Sequence, residues 1–330
     1  MLMRFILRRL GFYCAAFAVA LTLNFFIPRL MPGDPASTLF VSLRGRMSQQ
    51  SLDAMRAAYG FDGSLWDQFV AYVIRLLHGD LGVSTVNFPQ PASEMLLYAA
   101  GWTLFLVGVA TLLSFAVGIL FGMFAAWRRG SFFDTLFTPV NVMLNAFTPA
   151  VVALLLLYGF ALQLQWFPLG RAYDIDLEPG LNMVFMGSVL YHSVLPLASL
   201  VIIAIGGWHL SMRNTMINLL NEDYITLARA KGLSGRRILF RYAARNAMLP
   251  QITSLALTFG FVLGGALITE VVFNYPGLGK FTLAAIEKRD YAFIQGQLLF
   301  LTVTVLLANL IADLLNLLLD PRLRDRSELA

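Results

Sequence analysis

The sequence predicts an all-α integral membrane protein, and three observations support this class. Hydrophobic residues make up 58% of the 330 residues and charged residues only 13%, whereas soluble domains carry about 25% charged residues. The mean hydropathy is +0.71. Six separate segments are apolar over the roughly 20 residues that a helix needs to cross the hydrocarbon core. Composition therefore places most of the chain in lipid, and the spans can be assigned one by one.

We predict about six transmembrane helices, at residues 9–31, 98–127, 134–161, 186–211, 251–273 and 293–318. The first follows three arginines, a pattern also typical of a cleaved signal peptide. Its apolar run is longer than a usual signal core and no small-residue cleavage site follows it, so a retained span is favoured. The third contains Pro139 and Pro149, which membrane helices tolerate where neighbouring groups satisfy the freed carbonyls.

The distribution of charge predicts the orientation of these spans. With the N-terminus inside, the inner segments hold 15 of the 24 Lys and Arg residues. Basic loops stay cytoplasmic, so we expect a multi-pass membrane protein with both termini in the cytoplasm. The net charge of +5 therefore reflects topology and not a nucleic-acid-binding patch.

One domain over residues 1–330 accounts for the whole chain, since no internal repeat or low-complexity linker is visible. It comprises the first span (9–31), an external insertion (32–97), a core of five spans (98–318) and a cytoplasmic tail (319–330). Within the insertion, Ser64 is placed to cap an amphipathic helix that Gly79 ends. Its apolar face either packs on the bundle or lies on the outer interface, and packing is the favoured interpretation.

The inner connection between the fourth and fifth spans is the most informative part of the sequence. Glu222 and Asp223 are acids at the position that favours a helix start, and Gly232 is placed to end that helix. A second, basic helix from about residue 235 to 248 leads into the fifth span. Composition alone leaves two interpretations open: a helix that inserts into a cleft of another protein, or a basic loop held against anionic lipid.

Residues 222–233 read Glu-Asp-Tyr-Ile-Thr-Leu-Ala-Arg-Ala-Lys-Gly-Leu, and residues 245–250 read Arg-Asn-Ala-Met-Leu-Pro. This pattern resembles the coupling-loop signature of ABC importer permeases, in particular the B-type subunit of the dipeptide/oligopeptide permease family. The broader signature opens with Glu-Ala-Ala, where this chain has Thr226-Leu227-Ala228. Other features similar to the family follow in order: Arg-Arg-Leu at 8–10, Met-Pro-Gly-Asp-Pro at 31–35, Gly-Asp-Leu-Gly-Val-Ser at 79–84, Glu-Val-Val-Phe at 270–273, Tyr-Pro-Gly-Leu-Gly at 275–279 and Asp-Pro-Arg at 320–322.

The resemblance implies a permease subunit in a bacterial inner membrane, most consistent with uptake of di- or oligopeptides. It implies four kinds of association: a homologous second permease, two cytoplasmic ATPase subunits, an external or periplasmic substrate-binding protein, and membrane lipid. ATP and Mg would be bound by the ATPases, with no cofactor in this chain. The residues that would form the coupling helix and dock on an ATPase are Glu222, Asp223, Tyr224, Ala228, Arg229, Ala230, Lys231, Gly232, Leu233 and Ser234.

The sequence itself indicates that ATP hydrolysis belongs elsewhere. A P-loop requires G-x-x-x-x-G-K-[ST], but Phe281 follows Gly279-Lys280 and Asn274 stands at the first glycine position. We therefore expect the chain not to be an enzyme. Within the importer class, oligosaccharides, nickel and glutathione remain alternative substrates. A secondary transporter or channel is the alternative of another class, although no inverted repeat is detected.

Polar residues within the spans are candidates for a translocation pathway, although such faces often serve helix packing instead. These candidates are Asn141, Asn145, Thr148, Ser254, Thr258 and Glu270. Asp313, with Asn309 and Asn316 on the same helix face, is favoured as a structural polar cluster. Trp208 and His209 are interpreted as packing residues.

No metal site or disulfide is predicted. Cys14 is the single cysteine, and the three histidines lack metal-ligand spacing. The external segment 165–182 holds Asp174, Asp176 and Glu178, but their spacing matches no calcium loop. We interpret them as solvated loop acids. For His192, a buried histidine with its hydrogen bonds satisfied is favoured over a contact with substrate.

Overall fold

The computed structural model describes residues 2–30, 64–87, 89–180 and 182–319, without the side chains of residues 2–8, 10 and 316–319. These residues form no β-strand, only an isolated bridge between Val83 and Pro91. The all-α class is therefore confirmed. The helices are α1 (Leu2–Arg29), α2 (Leu65–Leu77), α3 (Ala92–Trp127), α4 (Phe132–Asn145), α5 (Pro149–Leu156), π1 (Leu157–Gln163), α6 (Met183–Leu220), α7 (Asp223–Ala230), α8 (Gly235–Arg237), π2 (Ile238–Ala243), α9 (Ala244–Val262), α10 (Leu267–Val272), α11 (Leu278–Lys288) and α12 (Tyr291–Leu319).

Four helices in the described part of the chain are long and apolar enough to cross a membrane: α1, α3, α6 and α12. They coincide with the first, second, fourth and sixth predicted spans. The pair α4 and α5–π1 meets the same criterion together and makes a fifth. At 38 residues, α6 is about 57 Å long at 1.5 Å per residue. Since the hydrocarbon core is about 30 Å thick, α6 extends well beyond it.

The predicted third span, residues 134–161, is not one straight helix. Thr148 has an extended backbone, with φ −78° and ψ 146°, and Pro149 is the first residue of α5. Proline disfavours the α conformation in the residue before it, so the helix that ends at Asn145 cannot continue through Thr148. As a result, α5 continues at a bend of 101° to α4. Pro139 lies inside α4 without ending it, as predicted.

The predicted fifth span, residues 251–273, is also interrupted. The helix that leads into it ends at Val262, and α10 begins only at Leu267. Between them, Gly265 has φ +77°, a conformation that glycine adopts without steric cost. The sequence analysis predicted six spans, whereas the described residues form four or five by length and composition.

Two predicted regions fall largely outside the described residues. They are the part of the insertion at residues 31–63, with the motif at 31–35, and the tail from residue 320, with the motif at 320–322.

The prediction of a single domain stays a prediction. The chain divides into two compact units: residues 1–103, 263–267 and 276–306 in the first, and residues 104–262, 268–275 and 307–330 in the second.

The capped helix predicted after Ser64 is confirmed as α2. The backbone N–H of Asp67 donates to Ser64 Oγ at 3.3 Å, and the Ser64 N–H and O–H donate to Asp67 Oδ2 at 3.1 and 2.6 Å. The hydrogen bonds from Ser64 lower the pKa of the Asp67 carboxyl. Ionised Asp67 therefore supports the cap above the ordinary carboxyl pKa, and this support is lost as the pH falls through the lowered value.

One face of α2 packs on α1, as the sequence analysis favoured. The Phe25 ring lies 5.2 Å from that of Phe69 and 5.7 Å from that of Tyr72, between centroids. Burial raises the pKa of the Tyr72 hydroxyl. Most of the predicted apolar stripe nevertheless stays exposed, including Trp66 at 70% and Leu77 at 81%.

In the first unit, a buried carboxylate joins the start of α12 to the turn before α3. The Asp290 carboxylate accepts the Ser84 hydroxyl and, at 3.1 Å, the N–H of Val86. Its other oxygen accepts the Phe293 N–H at 3.0 Å, so it also caps α12. Ser84 and Asp290 are both fully buried. The Gly-Asp-Leu-Gly-Val-Ser motif at 79–84 therefore serves, through Ser84, to anchor a helix end.

In the second unit, α6 touches α3 and α4 at three glycines. A Cβ on Gly122 would lie 2.4 Å from the carbonyl oxygen of His209, and one on Gly118 would lie 2.5 Å from Trp208 Cβ. A Cβ on Gly206 would lie 2.6 Å from the carbonyl oxygen of Asn141. Small residues at membrane helix contacts allow this close approach of backbones. These three positions fix the register of α6 against its neighbours.

We expect Gly122→Ala to lower the thermal stability of the chain, because the new methyl group meets a backbone carbonyl of α6 that cannot rotate away. Overpacking of this kind costs about 1–3 kcal/mol. Gly101→Ala is the matched control on the same helix, since a Cβ there meets nothing within 4 Å. The measurement is the temperature at which half of the detergent-purified protein is lost from the monodisperse peak in size-exclusion chromatography. Equal midpoints for both variants would show that α3 and α6 do not need this contact.

Candidate functional site

The segment from Glu222 to Ser234, here the 222–234 segment, is a short helix with defined ends that follows α6. Glu222 is the N-cap of α7, with φ −75° and ψ 151°, and Asp223 lies in the first turn. At the other end Gly232 has φ +71°. Its N–H donates to Arg229 O at 2.9 Å and that of Leu233 donates to Ala228 O at 3.3 Å. This pair of bonds is a Schellman motif, so the helix stop predicted at Gly232 is present.

One face of α7 is built into the chain's own core. Ile225 is fully buried and Ala228 is 3% exposed. They pack in a cluster with Met212 and Met216 of α6 and with residues of π2 and α9. Ala228 was predicted to dock on an ATPase, but its side chain packs inside this cluster instead. The 222–234 segment is therefore a fixed extension of α6 and α9.

The opposite face of α7 is free to meet another surface. The exposed residues of the 222–234 segment are Glu222, Asp223, Thr226, Leu227, Arg229, Ala230, Lys231, Gly232 and Ser234. Acids lie at the start and bases at the end of this face, which is the arrangement that a helix dipole favours. Leu227, 54% exposed, is a large apolar side chain between them. The remaining predicted docking residues, Tyr224 and Leu233, are half-buried.

A second feature of this unit joins α4 to α6 through charge. Arg213 Nε and Nη2 donate to the two oxygens of Asp134 at 2.7 and 2.9 Å. Asp134 also accepts the N–H of Gly130 at 3.0 Å and the hydroxyl of Thr138 at 2.9 Å. A paired and hydrogen-bonded carboxylate avoids the cost of an isolated buried charge. His209 is fully buried, with Nε2 3.2 Å from Thr138 Oγ1, in agreement with its interpretation as a packing residue.

The candidate pathway residues are dispersed. Asn141 is buried at the contact with Gly206, and its amide donates to Phe137 O at 2.9 Å, which favours a packing role. Asn145 and Thr148 are exposed at the α4–α5 bend. The two on α9, Ser254 and Thr258, are also exposed, and Thr258 donates to Ser254 O at 2.8 Å. Glu270, in α10, is fully buried.

The polar cluster predicted on the last span is described only in part. Asp313 and Asn309 are half-buried on α12, and the side chain of Asn316 lies outside the described ones. Among the described residues, no group of three or more His, Cys, Asp or Glu is arranged to hold a metal ion.

A cavity of about 590 Å³ lies at the first turns of α6, the end opposite the 222–234 segment. Its lining includes Arg171, Tyr173, Asp174, Asp176, Tyr191 and His192, and we call it the loop pocket. The Ser188 hydroxyl donates to Asp174 Oδ2 at 3.0 Å, and the side chain of His192, 5% exposed, has Nε2 3.5 Å from Asp174 Oδ1. Asp174, which the sequence analysis interpreted as a solvated loop acid, is therefore held in place by Ser188 and His192.

Sequence reasoning missed three of these arrangements for one physical reason. The pairs Asp134–Arg213, Asp174–His192 and Ser84–Asp290 join residues that lie far apart in the chain. Periodicity and capping report only on neighbours within a few turns. The helical spacing of Ser188 and His192 was a readable signal, but it gave no indication of the acid that they meet.

Comparison with known proteins identifies relatives along almost the whole chain. Residues 118–325 match the family described as binding-protein-dependent transport system inner membrane component. The dipeptide transport system permease protein DppB of Escherichia coli K12 is 33% identical over 343 residues, which cover 98% of this chain and 100% of that protein. The di/tripeptide transport system permease protein DppB of Pseudomonas aeruginosa UCBPP-PA14 is 34% identical, with coverage of 98% and 99%. The oligopeptide transport system permease protein AppB of Bacillus subtilis 168 is 32% identical, with coverage of 91% and 93%.

We expect Ile225→Ala to loosen α7 from its seat, because removing a buried branched side chain costs about 2–4 kcal/mol. The measurement is hydrogen–deuterium exchange of the amides of residues 225–233, which should speed up in the variant. Thr226→Ala is the control, since the neighbouring Thr226 is exposed. Unchanged exchange in Ile225→Ala, with intact protection elsewhere, would contradict the fixed seating of α7.

Proposed function

Because the chain belongs to the family of binding-protein-dependent transport system inner membrane components, we propose that it is the permease subunit of an ATP-driven importer of short peptides. Relatives that cover nearly the entire chain are named for dipeptide, di/tripeptide and oligopeptide transport. Oligosaccharides, nickel or glutathione are the alternative cargoes within the class. The observation that carries the proposal is the 222–234 segment.

The 222–234 segment has the properties that a mechanical coupling element needs. Its C-terminal end is closed by the Schellman motif at Gly232, so the end of the helix is defined without a partner. Its inner face is seated on Met212 and Met216 of α6 and against residues of π2 and α9. Its outer face presents acids, small residues and bases to a second surface. A displacement of α7 is therefore transmitted directly to two long helices and not absorbed in a loose loop.

The proposed cycle follows from this geometry. Two cytoplasmic ATPase subunits close on ATP and move the docked α7, and the permease pair changes between inward- and outward-facing packing. Such a change is a rigid-body transition between two packed arrangements. ATP and Mg²⁺ are assigned to the ATPase partners because the sequence lacks a P-loop. A homologous second permease and an external substrate-binding protein complete the assembly.

The orientation and the pathway belong to the same proposal. We propose that the 222–234 segment faces the cytoplasm, that the loop pocket is external, and that residues 251–273 cross the membrane despite their break, which places both termini in the cytoplasm. The exposed polar groups at the α4–α5 bend, Asn145 and Thr148, and those of α9, Ser254 and Thr258, are proposed to meet the solute. Asn141 and Glu270 are buried, and they are proposed to support that surface without lining it in this arrangement.

The first test is purification of the tagged chain from its host in mild detergent, with identification of the co-purifying proteins. We expect a second permease and ATPase chains, with ATP hydrolysis stimulated by the binding protein. The chain alone, in reproducible self-association and without ATPase activity, would instead support a secondary transporter or channel.

We expect Gly232→Val to abolish peptide uptake, while Gly232→Asn retains most of it. No atom lies within 4 Å of a Cβ at this position, so the difference comes only from the backbone at φ +71°. A β-branched residue is strained there, whereas asparagine tolerates this conformation. The measurement is ATP-driven uptake of a labelled tripeptide together with recovery of the ATPases on the tagged chain. Equal uptake by both variants would show that the end of α7 is not part of the coupling.

Glu222→Lys should weaken ATPase recovery and uptake, because it reverses a charge on the exposed N-cap of α7. The control is Glu178→Lys, the same charge change on an exposed residue before α6. If Glu178→Lys reduces ATPase recovery as much as Glu222→Lys does, the assigned docking face is incorrect.

A further inference from the structure

The loop pocket is formed by the segment before α6 and by the first turns of that helix. At about 590 Å³, it falls within the range of 300–1,000 Å³ that is usual for small-molecule sites. Two acids, one guanidinium and two tyrosines line it together. The proposed function leaves this site unassigned.

The loop is held to α6 by specific contacts, which give the pocket a defined wall. The Asp174 N–H donates to Ser188 Oγ at 3.0 Å, and the Tyr191 hydroxyl donates to Trp166 O at 2.6 Å. The rings of Tyr173 and Phe185 lie 5.0 Å apart between centroids. Asp174 is additionally placed by Ser188 and His192. The carboxylate of Asp174 is therefore positioned, yet its side chain is still 62% exposed.

The cation of the pocket is positioned through its backbone. The Arg171 N–H donates to Phe273 O at 2.8 Å, and Arg171 has φ +71°, which a non-glycine residue adopts only where its surroundings require it. A Cβ on the preceding Gly170 would lie 2.4 Å from Phe273 O. This close approach fixes the chain just where Arg171 enters the lining.

We propose that the loop pocket binds the charged termini of a short zwitterionic peptide. Asp174 and Asp176 accept hydrogen bonds from the N-terminal ammonium group, and Arg171 pairs with the C-terminal carboxylate in the two-pronged manner that guanidinium favours. The rings of Tyr173 and Tyr191 supply apolar surface for the peptide side chains. This inference rests on the proposed function and assigns a site on this chain for the termini of its substrate.

The position of the pocket on α6 links it to the coupling end of the same helix. His192 and Leu220 are 28 residues apart, which is about 42 Å at 1.5 Å per residue. The 222–234 segment follows directly after Leu220. A single helix therefore carries the proposed peptide site at one end and the proposed ATPase contact at the other.

The test pairs changes in the ligand with changes in the site. Binding of trialanine, N-acetyl-trialanine and trialanine amide to the assembled transporter, without binding protein, is measured by isothermal titration. We expect N-acetylation and Asp176→Asn each to weaken binding about tenfold, as the loss of a charged hydrogen bond does. Asp176→Asn should not weaken binding of N-acetyl-trialanine any further, because the ammonium group that Asp174 and Asp176 meet is already absent from that peptide. Amidation of the peptide C-terminus and Arg171→Gln should likewise each weaken binding. Arg171→Gln should not weaken binding of trialanine amide any further.

Asp176 and Arg171 are used in place of Asp174, because Asp174 also anchors the loop. Glu178→Gln, a neutralised acid of the same loop that does not line the pocket, is the control and should leave all three affinities unchanged. The pocket assignment would be overturned if the losses of affinity from peptide modification and from substitution simply added. It would also be overturned if the variants bound all three peptides as the unmodified protein does. ATP-driven tripeptide uptake would stand in both cases. Absence of peptide uptake by a complex that hydrolyses ATP with its binding protein would instead overturn the proposed function.

Discussion

Direct contact between helix backbones at glycine is the constraint on which the second unit depends. Lipid offers no hydrophobic drive for one apolar helix to seek another, so helix association in a membrane relies on close packing and polar contacts. Gly118 and Gly122 are one helical turn apart on α3, and Gly206 is on α6. These contacts lie between the end of α6 that carries the 222–234 segment and the end that carries the loop pocket. The registration of α6 against α3 and α4 therefore sets the positions of both ends.

Buried carboxyl groups supply a second constraint, which is met at Asp134 and Asp290 by several hydrogen bonds each. Asp134 accepts hydrogen bonds from Arg213, Thr138 and the backbone of Gly130, and Asp290 accepts three from the turn and helix that it joins. Removing one partner from such a group leaves an unsatisfied charge, which costs far more than the pair contributes. Arg213 also counts among the inner basic residues that predict orientation. Arg213 therefore has a local structural function, its ion pair with Asp134, that is independent of membrane topology.

The parts of the fold that the sequence predicted are those encoded within a few turns. The capping of α2 by Ser64, the glycine stop at Gly232 and four of the spans are local in this sense, and the structure agrees with each. The bend after Asn145 and the helix break after Val262 were missed because long apolar runs appear continuous, although Pro149 and Gly265 carried the signal. For the candidate site, the sequence located the 222–234 segment but misassigned the role of Ala228. Which face of a short helix is buried depends on Met212 and Met216, and sequence spacing does not specify that contact.

The π-helix π2 lies directly between α8 and the long helix α9, and its geometry has a consequence for α9. A single-turn π-helix corresponds to one residue inserted into an α-helix. If π2 were rewound as α-helix, every residue beyond it would turn by about 100° and shift by about 1.5 Å along the axis. Ser254 and Thr258 would then face a different side of the bundle, although α9 moves along its axis by only the rise of one residue. The chain thus contains a π-helical turn between the 222–234 segment and these hydroxyl groups, and conversion of that turn to α-helix would rotate them about the axis of α9.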